Sequence, residues 1–339
     1  MTTYVYVPIM SAENLLVFAM DSDTGTLDLK HDVHLGYGGF PLCASRDQQT
    51  LYVGFRHNPG SFITSCRIDP ATGGLTPVGQ VAVDGVPCHL FAEPTGHYLL
   101  SAYYSEGLVL AHEIGDDGSL SKKTVERQET ERFAHFVVTD PTNRFAFAPH
   151  VESANRIYQY GFDSAAGRLT PNPDQPRLEC SQGHGPRQMA FHPTLPIAYA
   201  DNEQGSSVTA YAFDTDAGTL REQQTVSTLP PEGHPDNSNA QLHMHPNGRF
   251  IYASNRGHDS IAMFAIDSQT GLLTSLGQQL SEGMPRPFAI TPCGRFLFNA
   301  GDRSKRLASF SIAADGRLTP IHQPIQLEGN AGWILPLEL

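Results

Sequence analysis

The chain has 339 residues, 31 of them Gly and 25 Pro, with 40% hydrophobic and 17% charged residues and a formal net charge of −13. This composition is too apolar for a disordered chain, and 35 Asp and Glu against 22 Lys and Arg argue against a general nucleic-acid or anionic-membrane surface. The length points either to two domains or to one large repetitive β architecture.

The chain opens Met1-Thr2-Thr3-Tyr4-Val5-Tyr6-Val7-Pro8, which alternates as a strand and has no basic region ahead of an apolar stretch. A cytoplasmic chain without a cleaved export signal is expected. Five scattered cysteines, Cys43, Cys66, Cys88, Cys180 and Cys293, form no Cys-x-x-Cys pair, which fits a reducing compartment and argues against a disulfide framework or zinc site.

From residue 18 onward one phrase recurs: an apolar alternation, an acidic or polar turn, a Gly, then Leu. The glycines are Gly25, Gly74, Gly118, Gly167, Gly218, Gly271 and Gly316, at intervals of 44 to 53 residues. Gly takes the positive φ that a tight turn requires, so each phrase reads as a hairpin. A second turn precedes most of these hairpins, at Asp140-Pro141, His192-Pro193, His245-Pro246 and Thr291-Pro292, with weaker copies at Glu93-Pro94 and Ser45. Two hairpins per period give four antiparallel strands, the content of one propeller blade. The tail Gly332-Trp333-Ile334-Leu335-Pro336-Leu337 has strand character but no hairpin, and is expected to close the ring against residues 3–8. The prediction is an all-β, seven-bladed β-propeller forming a single domain over residues 1–339.

Equivalent positions can be compared within the chain. Five residues before each Pro-turn start lie Phe40, Cys88, His135, Arg187, Ala240 and Arg286. A second column, just after the next strand, holds His57, Tyr104, Val151, Glu203, Arg256 and Asp302. A purely structural repeat would repeat itself, so titratable residues in both columns suggest a concave site at the channel mouth. His192 and His245 are expected to cap their turns. His243-x-His245 has chelating spacing, but no third ligand completes it and no metal site is expected. Neither a Gly-x-Ser-x-Gly elbow nor a phosphate loop is present.

Four stretches carry a resemblance: Ala134-His135 through Pro141, Gly185-Pro186-Arg187, Asn202-Glu203 with Ser206-Ser207-Val208, and His243 through Asn255-Arg256. Over essentially its whole length the chain resembles the seven-bladed propeller lactonases, which include propeller-type 6-phosphogluconolactonases and carboxymuconate cycloisomerase. The resemblance implies that His135, Arg187, Glu203 and Arg256 are the active-site residues. It also departs from the family at Glu131-Arg132-Phe133-Ala134 before His135, at Asp302 and at His150. The implied activity is hydrolysis of an anionic sugar lactone, 6-phosphogluconolactone to 6-phosphogluconate, without a cofactor. In this reading Glu203 or His135 activates water, Arg187 and Arg256 hold the oxyanion or an anionic group, and Arg286, His243, His57 and Asp302 contact substrate. Arg187→Ala is expected to cut turnover while leaving stability nearly unchanged. The alternatives are an aldarolactone hydrolase, a cycloisomerase acting on a muconate lactone, and a propeller that only binds proteins. No nucleic-acid or membrane partner is expected, and nothing in the sequence fixes an oligomeric state.

Overall fold

Gly and Pro turns interrupt the chain too often for helices, and alternating apolar residues between them pair locally into antiparallel ladders. The computed structural model of the chain describes residues 1–57 and 60–339, the side chains of residues 56 and 57 excepted. Among the described residues there is no helix, and the strands form seven antiparallel sheets. The fold is a seven-bladed β-propeller. Blades 2 to 7 occupy residues 39–83, 87–129, 138–179, 186–227, 238–280 and 285–326, each sheet running in chain order from its innermost strand outward. Blade 1 is composite. Its innermost strand is Leu335–Glu338, which pairs antiparallel with Thr3–Ile9, Thr3 opposite Glu338 and Tyr6 opposite Leu335. The ring is thereby closed by joining the two ends of the chain.

Apolar side chains alternate to both faces of the middle strands and fill the spaces between blades. Tyr6, Tyr52, Tyr199 and Tyr252 are fully buried there. A buried phenol needs a partner, and each donates to the glycine carbonyl of a neighbouring blade's hairpin. The acceptors are Gly73, Gly118, Gly271 and Gly316, at 3.0, 3.1, 2.6 and 2.8 Å.

Those hairpin glycines are the repeat seen in the sequence, with one correction. In blade 2 the positive φ belongs to Gly73, at +70°, so Gly73 and not Gly74 is the turn residue. The glycine has two jobs. A Cβ at Gly25, Gly73, Gly167, Gly218 or Gly316 would strike the ring of Phe296, Tyr4, Tyr98, Phe145 or Phe250, each in the preceding blade. The turn histidines also reach across blades. His192 Nδ1 accepts from Leu195 N at 3.0 Å while Nε2 lies 3.0 Å from Gly248 O, and His245 Nε2 lies 2.8 Å from Gly294 O.

Candidate active site

The first polar column falls where the innermost strands lose their ladder register. Pairing to the second strand is interrupted between Gly39 and Leu42, Pro87 and His89, Pro186 and Met189, Asn239 and Leu242, and Pro285 and Phe288. Phe40, Cys88, Arg187, Ala240 and Arg286 occupy these irregularities. A bulge frees a residue from the alternation and re-aims its side chain, which explains how arginines stand among apolar inner-strand residues. In blade 4 His135 precedes the short strand Val138–Thr139, and its N–H donates to Pro149 O at 3.0 Å. The second column sits at the ends of the adjoining strands, with Glu203 just after Ile197–Asn202 and Arg256 closing Phe250–Arg256.

The two columns meet around a cavity of about 550 Å³ lined by His135, Arg187, Glu203, Arg256 and Arg286, with Phe40, Cys88 and Tyr104. Glu203 bridges two cations. Its Oε2 accepts from Arg187 Nε at 3.0 Å and its Oε1 from Arg256 Nη2 at 2.7 Å. Arg256 Nη2 also donates to Asn239 O at 2.6 Å. The asparagines that precede Glu203 and Arg256 tie the strand ends to their neighbours: Asn202 Nδ2 donates to Ser207 Oγ and Thr209 Oγ1, and Asn255 Nδ2 donates to Thr228 O and Ser260 Oγ. Arg187 Nη1 and Arg256 Nε are buried with no hydrogen-bond partner among the described residues, so each has a donor to spare.

Arg286 differs from both. It lies over the Phe40 ring, 5.0 Å from its centroid, and has no ion pair or side-chain hydrogen bond among the described residues. His135 is buried, with Nδ1 unpartnered. Burial first, then the charges of Arg187, Arg286 and Arg256, hold its pKa well below the ordinary histidine value, so the imidazole is neutral at neutral pH. The Cys88 thiol is pushed up to about 12, chiefly by burial, and contacts Ala134 O at 3.1 Å. It is a packed, protonated thiol without nucleophilic character.

Residues 2–335 match the lactonase, 7-bladed beta-propeller family. A 6-phosphogluconolactonase of Pectobacterium carotovorum is 33% identical over 323 residues, 95% of each chain. One from Pectobacterium atrosepticum is 32% identical over 341 residues, the full length of both. This chain belongs to the propeller lactonase family. Among solved structures, the periplasmic gluconolactonase of Pseudomonas aeruginosa superposes on the lactonase with a TM-score of 0.90 at 26% identity, covering 99% of each chain. Among the described residues no helix is long and apolar enough to cross a membrane.

Five of the residues singled out in the lactonase sequence, His135, Arg187, Glu203, Arg256 and Arg286, line one cavity. Two others do not. His243 lies three residues beyond Ala240 on its inner strand, 3.3 Å from Gln241 Oε1 and edge-on to Phe288, with its pKa lowered to about 4 by burial. Asp302 is outside the lining; its carboxyl pKa is raised by burial against the opposing pull of Arg286 and Arg256. The His57 side chain lies outside the described residues. His243 and His245 engage separate partners, and no group of three His, Cys, Asp or Glu able to hold a metal occurs among the described residues.

Two residues received no role in the sequence reading. Tyr104 appeared there only as a member of the second column, in register with Glu203 and Arg256. Asp201 is fully buried behind Arg187, and its Oδ1 accepts the Gln188 N–H freed by the bulge, at 2.8 Å. In blade 6 a serine does the same work, Ser254 Oγ accepting from Gln241 N at 3.1 Å. Burial raises the Asp201 pKa to about 6, despite the opposing charge of Arg187.

Proposed function

We propose that residues 1–339 act as one cytoplasmic domain that hydrolyses 6-phosphogluconolactone to 6-phosphogluconate. The observation that carries this reading is the division of labour among the cations. Arg187 and Arg256 are tied to Glu203 but each keeps an N–H without a partner among the described residues, whereas Arg286 beside them has no ion pair among the described residues. Opening a lactone requires a base for water, hydrogen-bond donors where the carbonyl oxygen gains charge, and an anchor for a remote anion. His135, neutral and unpartnered at Nδ1, is the base. Glu203, with both oxygens accepting from guanidinium groups, orients Arg187 and Arg256 toward the developing oxyanion. Arg286 has a planar donor fork suited to a phosphate. The roles close without a cofactor. The activity for which the Pectobacterium relatives are named supports the phosphorylated substrate, and the unpaired Arg286 favours it over a neutral lactone.

The test is a pH-stat or NMR assay on freshly prepared 6-phosphogluconolactone, gluconolactone and carboxymuconolactone, with spontaneous hydrolysis subtracted. The phosphorylated lactone should be turned over with the highest kcat/KM. Arg286→Gln should raise KM for it about 10- to 100-fold, the worth of hydrogen bonds to a charged group, while changing gluconolactone hydrolysis little. Equal effects on both substrates would remove the anchor role. Preferential turnover of carboxymuconolactone would overturn the substrate assignment.

A further inference from the structure

Lactone opening has a second proton problem that the residues above leave unsolved. When the tetrahedral intermediate collapses, the ring oxygen departs as a secondary alkoxide, a strongly basic leaving group that must be protonated as its bond to carbon breaks. Guanidinium groups do not give up protons in this range. We propose that Tyr104 is the catalytic acid that protonates the departing ring oxygen, an inference that rests on the lactonase reading of this cavity.

Position comes first. Tyr104 directly follows the strand Tyr98–Tyr103 in blade 3, in register with Glu203 and Arg256, and lines the same cavity as His135 and the three arginines. Its ring plane is fixed by two edge-on contacts, to His135 at 5.7 Å and 81° and to Phe133 at 5.1 Å and 67°. The hydroxyl is the second observation. Tyr6, Tyr52, Tyr199 and Tyr252 each spend theirs on a backbone carbonyl. The half-buried Tyr104 hydroxyl has no hydrogen-bond partner among the described residues. An unspent donor at the mouth of a reaction cavity is available to substrate. Burial, reinforced by the charges of Glu152 and Glu203, raises its pKa to about 12, so the phenol keeps its proton until a stronger base, such as the leaving alkoxide, forms beside it.

The sequence of bonds balances. Water oxygen bonds to the lactone carbonyl carbon as its proton passes to His135, and the carbonyl π pair moves onto the oxyanion held by Arg187 and Arg256. That pair returns, the bond from carbon to the ring oxygen breaks, and its electrons leave on the ring oxygen, which takes the phenolic proton. The tyrosinate then recovers, by way of water, the proton that the His135 imidazolium gives up. Water is the sole co-reactant, and both side chains end as they began.

Tyr104→Phe keeps both ring contacts and removes only the hydroxyl. On freshly prepared 6-phosphogluconolactone its kcat should fall about 100-fold with KM unchanged, and its Tm should match wild type. The matching thiolactone, with sulfur in place of the ring oxygen, expels a thiolate that needs no proton. There the same substitution should lower kcat less than about 3-fold, because the acid contributes little to a good leaving group. Equal losses on the two substrates would make Tyr104 a structural residue and overturn the proposal. So would unimpaired turnover of 6-phosphogluconolactone by an otherwise normal Tyr104→Phe protein, which would leave His135 as both base and acid. Wild-type protein inactive on every lactone would instead remove the functional reading, and the Tyr104 role with it.

Discussion

Arg187 is held between carboxylates on two sides, and this changes what its loss should do. Its side chain is 3% exposed, bonded to Glu203, with buried Asp201 behind it. Burying a cation is tolerable only when it is paired, and removing one partner leaves the others uncompensated. Arg187→Ala should therefore lower kcat/KM by at least about 100-fold, as expected for an oxyanion donor, and also destabilise the fold by about 3 kcal/mol. Urea unfolding beside the lactone assay checks both. A full loss of activity without a shift in midpoint would show that Asp201 and Glu203 need no cation between them. The sequence made Arg187 visible because a cation recurs at one position in an otherwise apolar strand. It did not show Asp201, since one acidic residue in a buried strand has no periodic signature, and the bulge whose N–H it satisfies is a property of pairing between strands. For His243 the inner-strand placement was legible, but whether it lines the cavity depends on which residues the bulge leaves unpaired.

At the scale of the element, the hairpin glycines tie each blade to its neighbour. The repeat gave their turn role from sequence alone. Contact with the previous blade was not legible, because periodicity shows that a feature recurs without showing what it touches. Two substitutions separate the roles. Gly36 has φ +79° and open space within 4 Å of where a methyl group would stand, whereas Gly218 has φ +69° and its added Cβ would enter the Phe145 ring. Gly36→Ala should cost about 1–2 kcal/mol, the left-handed backbone penalty alone. Gly218→Ala adds overpacking of about 1–3 kcal/mol, for a combined loss of about 2–5 kcal/mol. Equal midpoint shifts in urea would mean that the blade contact relaxes freely. The same logic explains the blade 2 correction: Gly73 and Gly74 are adjacent in sequence, and what distinguishes them is the positive φ of Gly73 and the ring of Tyr4 beneath it.

At the scale of the molecule, spacing gave the number of blades, and the unpaired tail gave the manner of closure, because both are counting arguments. The net charge of −13 coexists with a mouth where Arg187 and Arg256 share one bridging carboxylate and Arg286 lines the same cavity, a local field suited to drawing in an anion. The interior also carries a pH dependence that composition could not reveal. Burial lowers the pKa of His89 to about 3, of His150 and His243 to about 4, and of His112 and His135 as well. In the unfolded chain all five should titrate near the ordinary value of about 6.5. Because the folded values are depressed, the unfolded state binds more protons once the pH drops below about 6.5. The histidines' contribution is thus complete above that pH and is lost as pH falls toward 4 and then 3. Asp201, raised to about 6, and Asp302, also raised, act in the opposite direction and offset part of the loss. Near pH 5 the depressed histidines outnumber the raised carboxyls, so unfolding takes up protons and stability falls as the pH drops. Urea midpoints should fall steeply between pH 6.5 and 4.5 with an unchanged m-value. The exposed turn carboxylates with lowered pKa values, Asp21, Asp69, Asp117, Asp214 and Asp267, enter only at lower pH. A flat midpoint from pH 6.5 to 5 would therefore mean that the buried histidines are hydrated enough to accept protons in the folded ring.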